Sequence, residues 1–379
     1  MQLTARINAE LRGDKAIWAI LAVLGLFSLL AVYSSTGTLA YRMRGGNTES
    51  FLIRQLVFLS GGVVVTYLIH MLHYRKFSNW APWLLMATIP LLLWTLAFGT
   101  EINEARRWIT VPVIGITFQS SDFAKLALII YVARTIGAKQ DYIKDFQSAF
   151  LPIIVPILIV CGLIAPADLS SAMLLFVTCM VMMFVGRVAI QYILLLIFLG
   201  VVVFAMLFML GQFFPDIVRT DTWVSRFDEF MHPEMNDITQ MMQSKIAIAN
   251  GGWFGLGPGN SIQRNYLYSP HADFVYAIIV EEYGIMGGLA VILLYVMLFF
   301  RVVRLVTKSP KAFGAMLAMG ISIYLIFQAF INIAVALNIV PVTGLTLPMI
   351  SMGGTSLLFT CVAFGILLSI SKFIETVGE

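Results

Sequence analysis

Charge is what this sequence has least of. Only 12% of its 379 residues are Asp, Glu, Lys or Arg, about half the share a soluble domain carries. With 60% of the residues hydrophobic, the scarcity excludes a water-soluble globular fold. Cysteine is nearly absent. Cys161, Cys179 and Cys361 all sit inside apolar runs, which excludes a disulfide framework. The four histidines, His70, His73, His232 and His271, have no zinc-type spacing to cysteine or to a second ligand. Internal repeats and low-complexity stretches are lacking too, so an inverted-repeat transporter has no support in the sequence. The excess charge of +4 is spread over connections, where membrane topology accounts for it better than nucleic acid does.

What fills the chain instead is apolar runs of membrane-spanning length. Ten are expected, at about 16–36, 51–72, 79–98, 119–137, 148–165, 169–186, 189–213, 273–300, 312–337 and 354–372. The fold class is therefore all-α: a polytopic integral membrane protein, one transmembrane domain over 1–379. Residues 1–15 are polar and mixed in charge, and no cleavage pattern follows the first run, so that run is expected to stay. An even number of spans puts both termini on one side. Placing them in the cytoplasm gives that side Arg75, Lys76, Lys139, Lys144, Arg187, Arg301, Arg304, Lys308 and Lys311, as the positive-inside rule prefers.

The connections are unequal. Residues 214–272 link the seventh and eighth spans and far exceed ordinary loop length, so they are expected to form a folded extracytoplasmic element. Their Gly-rich stretch "NGGWFGLGPGNS", 250–261, lacks the strand and βαβ context of a nucleotide site. It reads as close packing or a tight turn where the loop returns to the membrane.

Chemistry-bearing residues cluster at the outer face. "FQSSDFAKLALII" puts Asp122 and Lys125 three apart on one helix face, either as a structural ion pair with Ser120 or Ser121 as cap, or as cavity lining. "NEARRWI" places Arg106, Arg107 and Trp108 at the outer interface, suited to headgroup anchoring or to phosphate. "YLYSPHADFVYAIIVEE", 266–282, carries three carboxylates. Pro270 suits a helix start, putting Asp273 in the first turn, and Glu281 and Glu282 then lie about 12–13 Å deeper. That is too far for paired carboxylates on one bond. Asp273 is either a first-turn acid favoured by the helix dipole or a lone general base. A lone base suffices where the leaving group is a diphosphate and cations offset its charge: Arg106, Arg107, Lys125 and Arg264, or a divalent ion such as Mg or Mn.

Together, "ARRWI", "FQSSDFAKL", "ADLSSA", "QSKIAIANGGWFGLGPGNSIQ", "HADF", "EEYG" and "PVTGLTLPMISMGGTS" resemble the motifs of the SEDS family (shape, elongation, division and sporulation), the FtsW and RodA peptidoglycan polymerases. The resemblance runs from about residue 16 to the last span and leans toward the division branch. It implies a glycosyltransferase that polymerises lipid II at the outer leaflet and releases undecaprenyl diphosphate, beside a single-span transpeptidase partner in the bacterial cytoplasmic membrane. By resemblance Asp273 is the catalytic base. Arg106, Arg107, Asp122, Lys125, Gln243, Ser244 and Arg264 bind substrate, while Trp108, Asp168, Glu281, Glu282, Pro348 and Ser351 support them. Asp122 stands where the family has glutamate, and "YSPHADF" lacks its Leu-Pro-Glu lead-in. Two rival functions are a lipid II flippase and a non-catalytic scaffold for a transpeptidase. A flippase needs ionisable groups through both leaflets, and a scaffold has no need of Asp273.

Overall fold

The computed structural model describes residues 13–37, 48–102, 105–110, 117–213, 218–232, 240–267 and 269–378. Each expected span is a helix: α1 Lys15–Ser35, α2 Glu49–Met71, α3 Arg75–Phe98, α4 Ser120–Ala138, α5 Leu151–Ile164, α6 Leu169–Val185, α7 Ile190–Phe213, α10 Val275–Lys308, α11 Ala312–Ala336 and α12 Thr355–Gly378. Two further helices, α8 Thr220–Met231 and α9 Gln240–Gly251, form within the long connection.

Eight of these helices are long and apolar enough to cross a membrane, α5 by continuing the π-helical turn Phe146–Phe150 ahead of it. α6 is shorter at 17 residues, and the 19-residue α4 carries Asp122, Lys125 and Arg134. Those charges fit where α4 sits, because it is buried on every side by the bundle. α11 is also central, with 72% of its apolar stretch buried. α7 is the opposite case, at 6%; its apolar side chains face outward, as lipid contact requires. Exposed Trp80 and Trp83 near the start of α3, and Trp94 and Phe98 near its end, match the two aromatic belts of a bilayer.

Polar contacts sort the helix ends into two faces. On one, the backbone N–H of Asp14 donates to Ser371 Oγ at 2.6 Å and Arg301 lies 3.7 Å from the Asp14 carboxylate. On the other, Thr355 Oγ1 donates to the Thr117 carbonyl at 3.0 Å and Asn338 Nδ2 to the Met241 carbonyl at 2.6 Å. All the functional candidates except the deeper ones gather at this second face. Between the third and fourth expected spans, where the sequence marks only a connection at 99–118, the described residues include a small antiparallel sheet in the order β1 Thr100–Ile102, β2 Ala105–Thr110, β3 Thr117–Gln119. Trp108 pairs with Thr100 on one side and Gln119 on the other. The chain passes directly from β3 into α4, whose N-cap is Gln119; neither Ser120 nor Ser121 caps it.

The eighth span departs most from expectation. α10 begins at Val275, not at Pro270, so Asp273 lies in the turn ahead of the helix. It also breaks at Gly284 (φ 70°, ψ −176°), nine residues and about 13 Å in. Backbone groups freed at that depth need partners inside the protein, and the Gly-rich stretch supplies them. Leu256 and Gly257 N–H donate to the carbonyls of Glu281 and Glu282 at 2.9 and 3.0 Å. Gly252 O accepts from Ile285 N at 2.9 Å and Trp253 O from Met286 N at 3.4 Å. A Cβ at Gly251 would lie 2.1 Å from Val280 O, and one at Gly255 2.1 Å from Glu282 O. The glycines are there for this approach of backbone to backbone.

Candidate active site

The turn bearing Asp273 is held through its main chain. Three consecutive carbonyls accept a bond each: His271 O from Met352 N at 3.0 Å, Ala272 O from Ser351 Oγ at 2.7 Å, and Asp273 O from Asn332 Nδ2 at 3.0 Å. Both side-chain donors are themselves fixed. Asn332 Nδ2 also donates to Leu345 O at 2.7 Å, and Ser351 Oγ accepts from Leu347 N at 2.8 Å. Gln328 Nε2 holds the Thr346 carbonyl at 2.8 Å, and Tyr295 OH donates to Pro348 O. The segment "LTLPMIS" is therefore a brace between α11 and the Asp273 turn. The Asp273 residue itself is only partly exposed.

Burial raises the Asp273 carboxyl to about 6, opposed by the positive charges of Arg226 and Arg107 and reinforced by the negative charge of Asp168. Arg107 comes from β2 and is engaged within the protein. Its Nε donates to Ala167 O at 2.6 Å and its Nη1 lies 3.4 Å from Asp168 Oδ2. Asp168 in turn caps α6, accepting from Ser171 N at 3.1 Å and Ser171 Oγ at 2.9 Å, the expected role of an acid at an N-cap. The side chain of Arg106, the neighbouring candidate, lies outside the described residues.

Beside these groups is a cavity of about 500 Å³. Its polar wall is Arg107, Asp168, Arg219 and Arg226; its apolar wall includes Leu174 and Val177 of α6, Phe327 and Ile331 of α11, and Val340 and Val342 of the connection after it. Arg219, Thr222, Trp223, Arg226 and Phe227 all line it, a spacing that puts them on one face of α8. That spacing is present in "RTDTWVSRF", but nothing in the sequence says which cavity the face meets. Among the described residues Arg226 has no carboxylate within ion-pair distance. Burial and the nearby Arg107 lower its affinity for its proton, and its head lies over Gly344, where a Cβ would be 3.8 Å from both terminal nitrogens.

The other candidates are held apart from this cavity. Asp122 and Lys125 form a buried pair at 2.5 Å on α4, with Lys125 Nζ 5.8 Å from the centre of the Tyr324 ring. Neither lines the cavity, and Asp122 Oδ2 has no hydrogen-bond partner among the described residues. Gln243 is buried, and Ser244 Oγ donates to Ala336 O at 2.6 Å. Ser244 thus pins α9 to the end of α11 and does not reach substrate space. Arg264 Nη1 donates to Ser34 O at 3.1 Å, placing it on the α1 side of α10. Glu281 and Glu282 are also there: Glu281 accepts from Ser261 Oγ and from Ile262 N and Gln263 N at 3.3 Å, Glu282 from Ser34 Oγ and from Ser261 N at 3.3 Å. Both glutamates are supports for the strap across the helix break. Burial lowers the affinity of His271 for a proton.

A protein-built metal cage does not fit this donor set. Among the described residues no three His, Cys, Asp or Glu side chains converge, and the cations facing Asp273 are arginines.

Residues 14–376 match the family model for FtsW, RodA and SpoVE, described as cell cycle proteins. The probable peptidoglycan glycosyltransferase FtsW of Bacillus subtilis is 34% identical over 95% of this chain and 90% of its own. Stage V sporulation protein E of the same organism is 32% identical over 95% and 97%. The crystal structure of rod shape determining protein RodA from Thermus thermophilus superposes with a TM-score of 0.68 at 24% identity over 95% and 96%. A chain from a peptidoglycan synthase complex that coordinates polymerization and crosslinking gives 0.72 at 24% identity over 96% and 98%. The two solved structures bear out the fold, and the match along nearly the whole sequence carries the assignment: this chain belongs to the FtsW/RodA/SpoVE family of cell cycle proteins.

Proposed function

We propose that the protein is a peptidoglycan glycosyltransferase that polymerises lipid II at the outer face of the bacterial cytoplasmic membrane, with Asp273 as general base. The observation that carries this reading is the braced carboxylate of Asp273, whose charged neighbours Arg107, Asp168 and Arg226 line a cavity with a charged and an apolar wall. The relatives' names supply the class of reaction, and the site supplies the roles.

In the reaction, the acceptor hydroxyl oxygen bonds to the anomeric carbon of the donor sugar as the bond from that carbon to the diphosphate oxygen breaks. The bonding pair leaves with undecaprenyl diphosphate. The hydroxyl proton passes to the Asp273 carboxylate, which must be within hydrogen-bond reach and ionised. An affinity near 6 leaves the base mostly ionised at neutral pH while keeping it a stronger proton acceptor than an ordinary aspartate. No acid is needed at the leaving group, because positive charge at the cavity wall stabilises the diphosphate as it departs. A cognate single-span transpeptidase would crosslink the product, as the likeness to a synthase-complex chain suggests.

The test is polymerisation by the purified protein with its transpeptidase partner, given lipid II, with glycan length read on a gel. Native protein is expected to make polymer and Asp273→Asn none, with the complex still intact. Equal polymer from both would remove Asp273 from the mechanism. Translocation of lipid II in vesicles with no polymer would favour a flippase, and partner binding with neither activity a scaffold.

A further inference from the structure

We propose that Arg226, assisted by Arg219, is the seat of a prenyl diphosphate, with the head on α8 and the isoprenoid chain against the apolar wall formed by α6 and α11. The inference rests on the reading above and deepens it by assigning the leaving group to cations other than Arg107, Lys125 and Arg264.

The first argument is elimination by geometry. Arg107 spends its Nε on a carbonyl and its Nη1 on Asp168, so it enters the cavity as half of an ion pair, with little net charge. Lys125 is neutralised by Asp122 at 2.5 Å, away from the cavity. Arg264 is bound to Ser34 on the other side of α10. Arg226 is different: it lines the cavity and has no carboxylate within ion-pair distance among the described residues. A partly buried guanidinium in that state costs free energy until an anion reaches it. Its planar fork matches two oxygens of a phosphate in a way an ammonium would not.

The second argument is the shape of the ligand implied by the walls. A free phosphate would have no use for Leu174, Val177, Phe327 and Ile331. A neutral lipid would leave the guanidinium unanswered. A molecule with an anionic diphosphate head and a hydrocarbon tail satisfies both. Arg219 lines the same cavity two turns away, about 10 Å along the axis, so it adds positive charge to the wall without sharing the oxygens that Arg226 holds. The Arg226 head lies beside Gly344. Arg226 is also the largest positive influence on Asp273, so occupancy of the seat and protonation of the base are coupled.

The experiment uses the full chain in nanodiscs of neutral phosphatidylcholine, with farnesyl diphosphate as the probe. Native protein is expected to bind it, and Arg226→Ala to bind at least about tenfold more weakly, as loss of a charge-assisted contact predicts. Arg226→Lys should recover part of that loss. Farnesol and inorganic pyrophosphate should each bind more weakly than farnesyl diphosphate, since each satisfies one wall only. Phosphatidylglycerol in the disc should not displace it. Equal affinity of the native protein and Arg226→Ala, or farnesol binding as tightly as farnesyl diphosphate, would overturn the seat. Pyrophosphate binding as tightly would overturn the lipid-linked ligand, and displacement by phosphatidylglycerol would reassign the seat to a membrane headgroup. An elution profile unchanged from native checks that Arg226→Ala is folded. Binding that depends on Arg226 in a protein without polymerase activity would leave the seat standing while the polymerase reading fell. Where polymer is made, Arg226→Gln should move the acid limb of its pH profile upward, because the base loses its largest stabilising cation.

Discussion

Asp273 is held by its carbonyl and tuned by its surroundings, and these two controls separate experimentally. Burial raises its affinity to about 6, and the base form exists above that value. Polymerisation is therefore expected to fall as pH drops through about 6, with a limb absent from partner binding. A rate flat between pH 5 and 8 would contradict the role. Ser351→Ala removes the hydroxyl that bonds Ala272 O and accepts from Leu347 N, without touching any charge. It should lower kcat by about ten- to a hundredfold, the range expected when positioning is loosened, with KM and the acid limb unmoved. A shift of that limb in Ser351→Ala would mean that the serine tunes charge and not position. Both Asp273 and Ser351 were legible in the sequence, because they fall within recognisable motifs. Arg226 was not. Only folding α8 onto the cavity reveals that no carboxylate among the described residues forms an ion pair with Arg226.

At the scale of elements, the break in α10 is where local sequence misled most. "EEYGIMGG" continues an apolar run, and a glycine within such a run ordinarily costs a helix only about 1 kcal/mol. Nothing local announces that the strap at 252–257 will bond both edges of a gap there. The partners of the paired glutamates come from 34 and 261–263, far from them in sequence, so the sequence leaves the pair without partners. The consequence is a contrast between two glycines with similar φ. Gly255 has φ +80° and its Cβ would collide with Glu282 O at 2.1 Å, whereas Gly259 has φ +78° and nothing within 4 Å. Gly259→Ala should carry backbone strain alone, about 1 kcal/mol. Gly255→Ala adds a backbone clash and should cost about 3 kcal/mol or more, read as a clearly larger fall in Tm in detergent. Equal falls would mean that the strap can move off the break, and that the break is not locked.

For the molecule as a whole, the ten apolar runs predicted ten helices to within a few residues at most ends, because lipid-length hydrophobicity is an unambiguous signal. The α8 and α9 helices and the sheet at 100–119 did not show in that signal, being polar or short. What the arrangement adds is that Asp273, the sheet, α8 and the 338–353 brace share one face, while Asp14, Arg301 and Ser371 share the other. We place the first face outside the cell, from the excess of Lys and Arg on the second. The three native cysteines are buried, so introduced thiols can report the orientation with little background. Ser225 on α8 and Thr307 near the end of α10 are both exposed and lie at opposite faces. In intact cells a membrane-impermeant maleimide should label Ser225→Cys and not Thr307→Cys, and opening the membrane should make Thr307→Cys reactive. The reverse pattern would put the cavity and Asp273 in the cytoplasm. Glycan could not then be assembled where a crosslinking partner meets it, and the polymerase reading would fail on topology whatever the chemistry of the site.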